Sequence, residues 1–280
     1  MKILVTGGAG FIGGNLIKKL IKEEHDVDSL DNYSTGKIEN ELPRCDYYSC
    51  DIETVNTFGT YDKIYHLAAL SRIQPSFNNP NETFRVNTLG TQQVLELARR
   101  TGAKVIYAGS SSRWHYPYQS PYASCKYMGE EICKMYKKTY GMDIEIARFY
   151  NVYGPNEIVD GDMAAVIGIW RNQIAKDQAL TIVGDGQQRR DFTHVDDIVD
   201  GLYKIGFKNE KHEDAWELGT GINYSILEVF EMFKEKFNCD RWHIENQPGN
   251  YRVTLQENKD AQVRLGWRPK DRLKEYILNL

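Results

Sequence analysis

The 280-residue sequence is short of several things, and each shortage narrows what the protein can be. It has no excess of positive charge, with 35 Lys and Arg against 39 Asp and Glu. Nucleic acid or an anionic membrane needs a basic face, so neither is expected as the main partner. A local arginine cluster built for one diphosphate stays open. No apolar run approaches the ~18 residues of a spanning helix, and glycines interrupt the first apolar stretch before a signal-peptide core forms. The five cysteines, Cys45, Cys50, Cys125, Cys133 and Cys239, form no C-x-x-C pair and no metal spacing with histidine. Reduced thiols, no metal and a cytoplasmic location are the expectation. There is no repeat, no low-complexity tract and no Ser/Pro linker.

What is present reads as an α/β chain. Short β-branched runs at Lys2–Thr6, Asp26–Asp31, Tyr47–Cys50, Lys63–Leu67, Lys104–Ala108 and Asp143–Arg148 alternate with helical patterns at Gly13–Glu23, Glu82–Arg100 and Pro121–Tyr140. That alternation predicts a doubly wound parallel Rossmann sheet covered on both faces. After Gly154-Pro155 the elements shorten and turn signals crowd together. The expected division is a Rossmann domain of 1–154 plus about 191–218. A smaller, discontinuous α/β substrate lobe would take about 155–190 plus 219–280. Without a linker the two share an interface, and the cleft between them is the expected ligand site.

The first strand runs into Thr6-Gly-Gly-Ala-Gly-Phe-Ile-Gly13. Gly8, Gly10 and Gly13 fit G-x-G-x-x-G, and Gly7, Gly10 and Gly13 fit the related G-x-x-G-x-x-G. Alone, such glycines need mean only a tight strand-to-helix turn. Asp31, at the end of the next strand, lies 18 residues after Gly13, near the ~20 expected of an acid that binds the adenosine ribose. Its charge would repel a 2′-phosphate, so NAD is favoured over NADP. Further on, Tyr122 and Lys126 stand one helical turn apart behind Pro121, on one face of a helix. A Lys⁺ beside a phenol should lower the tyrosine pKa from ~10. Such a tyrosine can exchange a proton with a sugar hydroxyl while a hydride moves to or from the same carbon. A Tyr-x-x-x-Lys pair is by itself usually a solvated face; behind a dinucleotide site it reads as chemistry.

Together these residues resemble the extended short-chain dehydrogenase/reductases, in the NAD-dependent epimerase/dehydratase group that acts on nucleotide sugars. The ordered matches include Asp31-Asn32, Asp51-Ile52, His66-Leu-Ala-Ala69, Ser110, Tyr122-Ala-Ser-Cys-Lys126, Arg148-Phe-Tyr-Asn-Val-Tyr-Gly-Pro155 and Leu265-Gly-Trp-Arg-Pro269. The resemblance implies Gly7, Gly10, Phe11, Ile12 and Gly13 along the pyrophosphate, Asp31 and Asn32 at the ribose, and Asp51 and Ile52 at adenine. It implies Ala68, Ala69 and Asn87 beside the cofactor, and Lys126 at the nicotinamide ribose. Ser110 and Tyr122 would meet the reacting hydroxyl, Asn151 the sugar or its phosphate, and Arg190 the diphosphate. A nucleotide-diphosphate sugar, UDP-linked, is the implied partner. A homodimer through helices 82–100 and 121–140 is also implied.

Departures from the group fall on the substrate side. Ser111 and Ser112 stand where hexose 4,6-dehydratases resemble one another in an Asp-Glu pair, so elimination lacks its acid and epimerisation is favoured. Arg113-Trp114-His115 replaces Val-Tyr-Gly in a loop that is short for the group. Either Arg113 or His115 contacts the substrate, or the loop is simply rebuilt and exposed. Gln247 stands where an Arg often precedes Pro248-Gly249, so a second diphosphate contact is lost or moved to Arg252. The expected activity is epimerisation like that of UDP-glucose/UDP-galactose 4-epimerases. A nucleotide-sugar reductase, a UDP-uronate decarboxylase and a non-catalytic NAD-sensing protein are the rivals.

Overall fold

The computed structural model describes residues 1–280 and contains one seven-stranded sheet with helices on both faces. The chain opens with β1 (Lys2–Thr6), α1 (Phe11–Lys22), β2 (Asp26–Asp31), β3 (Cys45–Ser49) and β4 (Lys63–His66). It continues through the short helices α2 (Ile73–Asn78) and α3 (Pro80–Phe84) to α4 (Gly90–Thr101), β5 (Lys104–Ser110), α5 (Pro121–Tyr140) and β6 (Ile144–Phe149). In space the strands run β3-β2-β1-β4-β5-β6, followed at the edge by Trp216–Leu218, all parallel. The order reverses at β1/β4, which is where a doubly wound sheet opens a crevice at its carboxyl ends.

Local chemistry explains the elements. β5 is buried along its whole length, as a strand covered on both faces must be. At the start of α5, Ser120 accepts the Ala123 N–H, Pro121 occupies the first turn, and Gly141 closes the helix in the left-handed region at φ 65°. This cap sets the position of Tyr122.

Three features depart from the sequence reading. β5 extends two residues past Ala108, with Gly109 and Ser110 in register with Arg148 and Phe149, so Ser110 sits on a strand and not on a loop. The helix expected over 82–100 is interrupted by a π-wound segment, Arg85–Leu89. The buried Asn87 amide causes this: it accepts from Leu70 N (2.8 Å), donates to Leu70 O (2.9 Å), and must face the β4–α2 loop to do both. Finally, residues 219–280 do not all join the small lobe. Ala261, Leu265 and Trp267 are buried in the same core as Ile3, Val5 and Trp216, and Trp267 Nε1 donates to Asp197 O at 2.7 Å. A large indole with one buried donor is held where apolar volume and an acceptor coincide.

The helix Val195–Phe207 packs against α1, on one face of the sheet. A separate core of Trp170, Leu180, Ile182, Phe192, Phe230, Phe233 and Leu273 forms the lobe. Three two-stranded sheets lie outside the large one, two of which carry Arg189–Asp191 and Leu180–Val183. Lobe and sheet face one another past the end of β5, where His115 of the following loop stacks on Tyr251.

Candidate active site

The glycine turn leaves β1 at Thr6. Gly7 holds φ +75°, and a Cβ there would lie 2.8 Å from Ala68 N. At Gly13 a Cβ would lie 2.1 Å from Gly7 O, so only glycine lets α1 start against the turn. Gly10 caps α1 without any side-chain acceptor, which leaves first-turn N–H groups of Phe11, Ile12 and Gly13 for an anion. At the end of β2, Asp31 accepts the N–H groups of Ala9 (3.0 Å) and Tyr33 (2.8 Å), and burial pushes its carboxyl up. Asn32 donates to Asp51 at 2.7 Å, which ties the β2 and β3 ends together, with Ile52 buried beside them. Ala68 and Ala69 form the opposite wall, which Asn87 fixes through Leu70. Both amide atoms of Asn87 are spent on that loop, so it shapes this wall through Leu70. Bare helix N–H groups, a glycine cradle and a carboxylate at the end of β2 fit a dinucleotide pyrophosphate and ribose.

The chemical groups lie one crossover away. Ser110 Oγ accepts the Ser112 N–H at 3.2 Å, and the Tyr122 hydroxyl donates to the same oxygen at 3.4 Å. Lys126, one turn on, is buried and donates to Ala108 O at 2.9 Å; burial takes its pKa down to about 8. The expectation that Lys126 lowers the Tyr122 pKa meets a different balance. Burial pushes the phenol up, while the Ser110 hydrogen bond and the charge of Arg72 pull it down. Lys126 is turned toward Ala108 O, and the guanidinium supplies the cationic influence.

The substrate side is built from both bodies. Arg190 donates to Arg189 O (2.9 Å) and Asn250 Oδ1 (2.5 Å) and meets no carboxylate; burial lowers its pKa to about 10. A shielded guanidinium without a counter-ion is suited to an incoming anion. Asn151 spends its amide N–H groups on Asp191 O and Thr254 Oγ1, both at 3.0 Å, and so braces the strand that carries Arg190. Arg252 lies at the exposed mouth, where its Nη1 donates to both carboxylate oxygens of Asp185 at 2.9 and 3.0 Å. Beside it, a cavity of ≈ 260 Å³ is lined by Gln188, Asn246, Asn250, Tyr251 and Arg252 among others.

The short loop is anchored. Trp114 Nε1 donates to Glu217 (3.2 Å), and Arg148 lies 5.0 Å from the centre of the Trp114 ring. Arg148 is itself buried among Glu130, Asp214 and Glu217. Arg113 turns toward α5, with Glu131 at 2.8 Å and the Tyr127 ring 4.1 Å away. Of the two loop residues proposed from the sequence, His115 alone faces the cleft, stacked on Tyr251. Tyr251 and Arg72 are the residues that sequence reading missed. No motif marks them, because a tyrosine and an arginine in loops become site residues only through their neighbours in space.

With this geometry in view, residues 3–219 match the profile described as the NAD dependent epimerase/dehydratase family. The chain belongs to that family. Among its relatives, a Methanocaldococcus jannaschii protein provisionally named a UDP-glucose 4-epimerase is 35% identical, over 98% of this chain and 95% of its own. UDP-glucuronic acid decarboxylase 3 of Arabidopsis thaliana is 32% identical, over 98% and 86%. The solved structure of the Thermotoga maritima UDP-glucose 4-epimerase with UDP-glucose is similar at a TM-score of 0.92 and 28% identity, covering 99% of this chain and 96% of that one. The short loop and the Arg72 site are thus set within a family member whose relatives include both epimerases and decarboxylases. No helix is long and apolar enough to cross a membrane.

Proposed function

We propose that the protein is an NAD-dependent 4-epimerase of a UDP-linked sugar. The observation that carries this reading is the Ser110–Tyr122 hydroxyl pair, set at the carboxyl edge of β5 with Ser111 and Ser112 following and no carboxylate among them. Bound NAD would supply reversible hydride acceptance at the reacting carbon. The chain's own part is proton handling and positioning. Ser110 and Tyr122 hold the sugar hydroxyl between them, and Tyr122 takes its proton as the carbon is oxidised and returns it as the carbon is reduced. Lys126, anchored on Ala108 O, would hold the nicotinamide ribose. Arg190 would grip the diphosphate, with Asn151 bracing its strand and Arg252 at the rim. The polar cavity beside Asn246 and Asn250 has amides suited to a nucleobase edge.

The test is proton NMR of UDP-glucose, UDP-N-acetylglucosamine and UDP-glucuronate, each incubated with the protein and no added cofactor. Interconversion with the 4-epimer supports the reading. Release of CO₂ from the uronate, or turnover only with stoichiometric NADH, replaces epimerisation with one of its rivals.

A further inference from the structure

Arg72 stands at the end of the β4–α2 loop, which Asn87 holds through Leu70. Its Nε donates to Met163 O at 2.9 Å and its Nη1 to Ser71 O at 3.2 Å. These two bonds aim the guanidinium across the cleft from the sheet side to the lobe. Nη2 makes no hydrogen bond, and no carboxylate lies within ion-pair distance of Arg72. Glu157, the acid whose charge reaches it, is engaged by Arg171 Nη1 at 3.1 Å and by the Tyr276 hydroxyl at 3.4 Å. Arg72 is half-buried, its charge acts on the Tyr122 phenol, and Ser76 one turn on accepts the Tyr122 N–H at 3.2 Å, so the guanidinium lies on the Tyr122 side of the cleft.

The cleft therefore carries two uncompensated guanidiniums. Arg190, on the lobe side, is the one assigned above to the diphosphate. A neutral hexose would cover the half-buried Arg72 and leave it unpaired, which is costly, whereas a second anion on the sugar would pair with it. A planar fork with a free Nη2 is shaped for a carboxylate.

We propose that Arg72 binds a carboxylate borne by the sugar, so that the substrate is a nucleotide-linked sugar acid. The inference rests on the reading that Tyr122 works on a nucleotide sugar, and it names the class of sugar. The carboxylate could sit at C5, as in a uronic acid, or on an ether arm, as in a muramic acid.

Calorimetric binding to the NAD-loaded protein tests this without relying on turnover. The probes are UDP-glucose, UDP-glucuronate and UDP-N-acetylmuramate, with wild type, Arg72→Gln and Arg72→Lys. One of the two acids should bind on the order of 10–100-fold more tightly than UDP-glucose, the range of a charged hydrogen-bonded contact. Which acid gains tells where the carboxylate sits. Arg72→Gln should bring the acid-to-neutral ratio close to one, and Arg72→Lys should restore part of it. Equal binding of acid and neutral sugars by wild type overturns the inference, as does a ratio that survives Arg72→Gln. If the ratio behaves as expected but no sugar is epimerised, the anion site stands and the epimerase reading falls. If neutral sugars are epimerised and the acids gain nothing, the reverse holds.

Discussion

The imidazole of His115 lies flat on the phenol ring of Tyr251, with ring centroids 3.8 Å apart and planes 11° from parallel. One ring comes from the loop after β5 and the other from the lobe, so this stack bridges the cleft. Burial first, and then Arg190, lowers the His115 pKa, and burial raises the Tyr251 phenol to about 12. Both rings are therefore neutral near pH 7. The Tyr251 hydroxyl is buried without a hydrogen-bond partner. It is electrostatically linked to both Tyr122 and Arg190. Such a hydroxyl is available to a sugar or phosphate oxygen.

Removing either ring should raise KM for the nucleotide sugar more than it lowers kcat, because the stack roofs the site without touching the proton-transfer pair. His115→Ala and Tyr251→Ala should also be coupled. A double-mutant cycle on kcat/KM is expected to show ~0.5–1.5 kcal/mol of interaction, the range of an aromatic pair. Strict additivity would show that the stack has no role in binding.

Tyr122→Phe keeps the ring and removes the proton carrier. Turnover should fall by ~10²–10⁴-fold with nucleotide-sugar binding nearly unchanged. Ser110→Ala should cost less, since Tyr122 can still reach the hydroxyl alone. Single-turnover kinetics with the NAD-loaded protein reads both, and unaltered kcat in Tyr122→Phe would remove this tyrosine from the chemistry.

Gly13→Ala would drive a methyl to 2.1 Å from Gly7 O, and backbone cannot yield as a side chain can. Overpacking of this kind costs ~1–3 kcal/mol. Thermal denaturation should show that loss together with weaker NAD retention. Asp31→Asn should weaken NAD by roughly tenfold, the scale of one charged hydrogen bond, measured by titration of the stripped protein.

Glu157 gives a pH signature. Burial, partly offset by Arg171, raises its pKa from 4.5 to about 7. The folded state thus binds this proton more tightly than the unfolded state does. Glu157 contributes full stability below about 4.5, and that contribution is lost as pH rises toward about 7. Its size is on the order of 3 kcal/mol at most. Urea melts of wild type and Glu157→Gln across that window should converge in slope if the assignment fails, and the variant should be flatter if it holds.

The surface of α4 and α5 bears on assembly. Leu89, just before α4, and Met135 and Tyr140 on α5 are exposed. Our proposal for the assembly is a homodimer through these helices. Leu89→Arg with Met135→Glu should shift light-scattering mass toward the monomer, and a monomeric wild type would refute the pairing.

Much of this molecule was readable from local pattern. The glycine turn, Asp31 18 residues beyond it, and Tyr122 with Lys126 are each defined by spacing along one strand or one helix. Strand ends were less legible, because β5 continues to Ser110 only through its register with β6. The break in the 82–100 helix was not legible, since it depends on Asn87 meeting Leu70, 17 residues away in sequence. Nor was the placing of Trp267, which joins Ala261 and Leu265 in the large core beside Trp216, whereas Leu273, a few residues on, is in the lobe.

The sequence by itself determined the fold class, the glycine turn of the dinucleotide crevice and the pairing of Tyr122 with Lys126, because each rests on spacing along one strand or one helix. Only the tertiary structure decided what surrounds the Ser110–Tyr122 pair. Arg72, His115, Arg190 and Tyr251 come from four separate segments, and their charge and burial exist only once lobe and sheet close on one another. The same closure moved the electrostatic influence on Tyr122 from Lys126 toward Arg72: burial turned the lysine to a backbone carbonyl and left the guanidinium without a counter-ion.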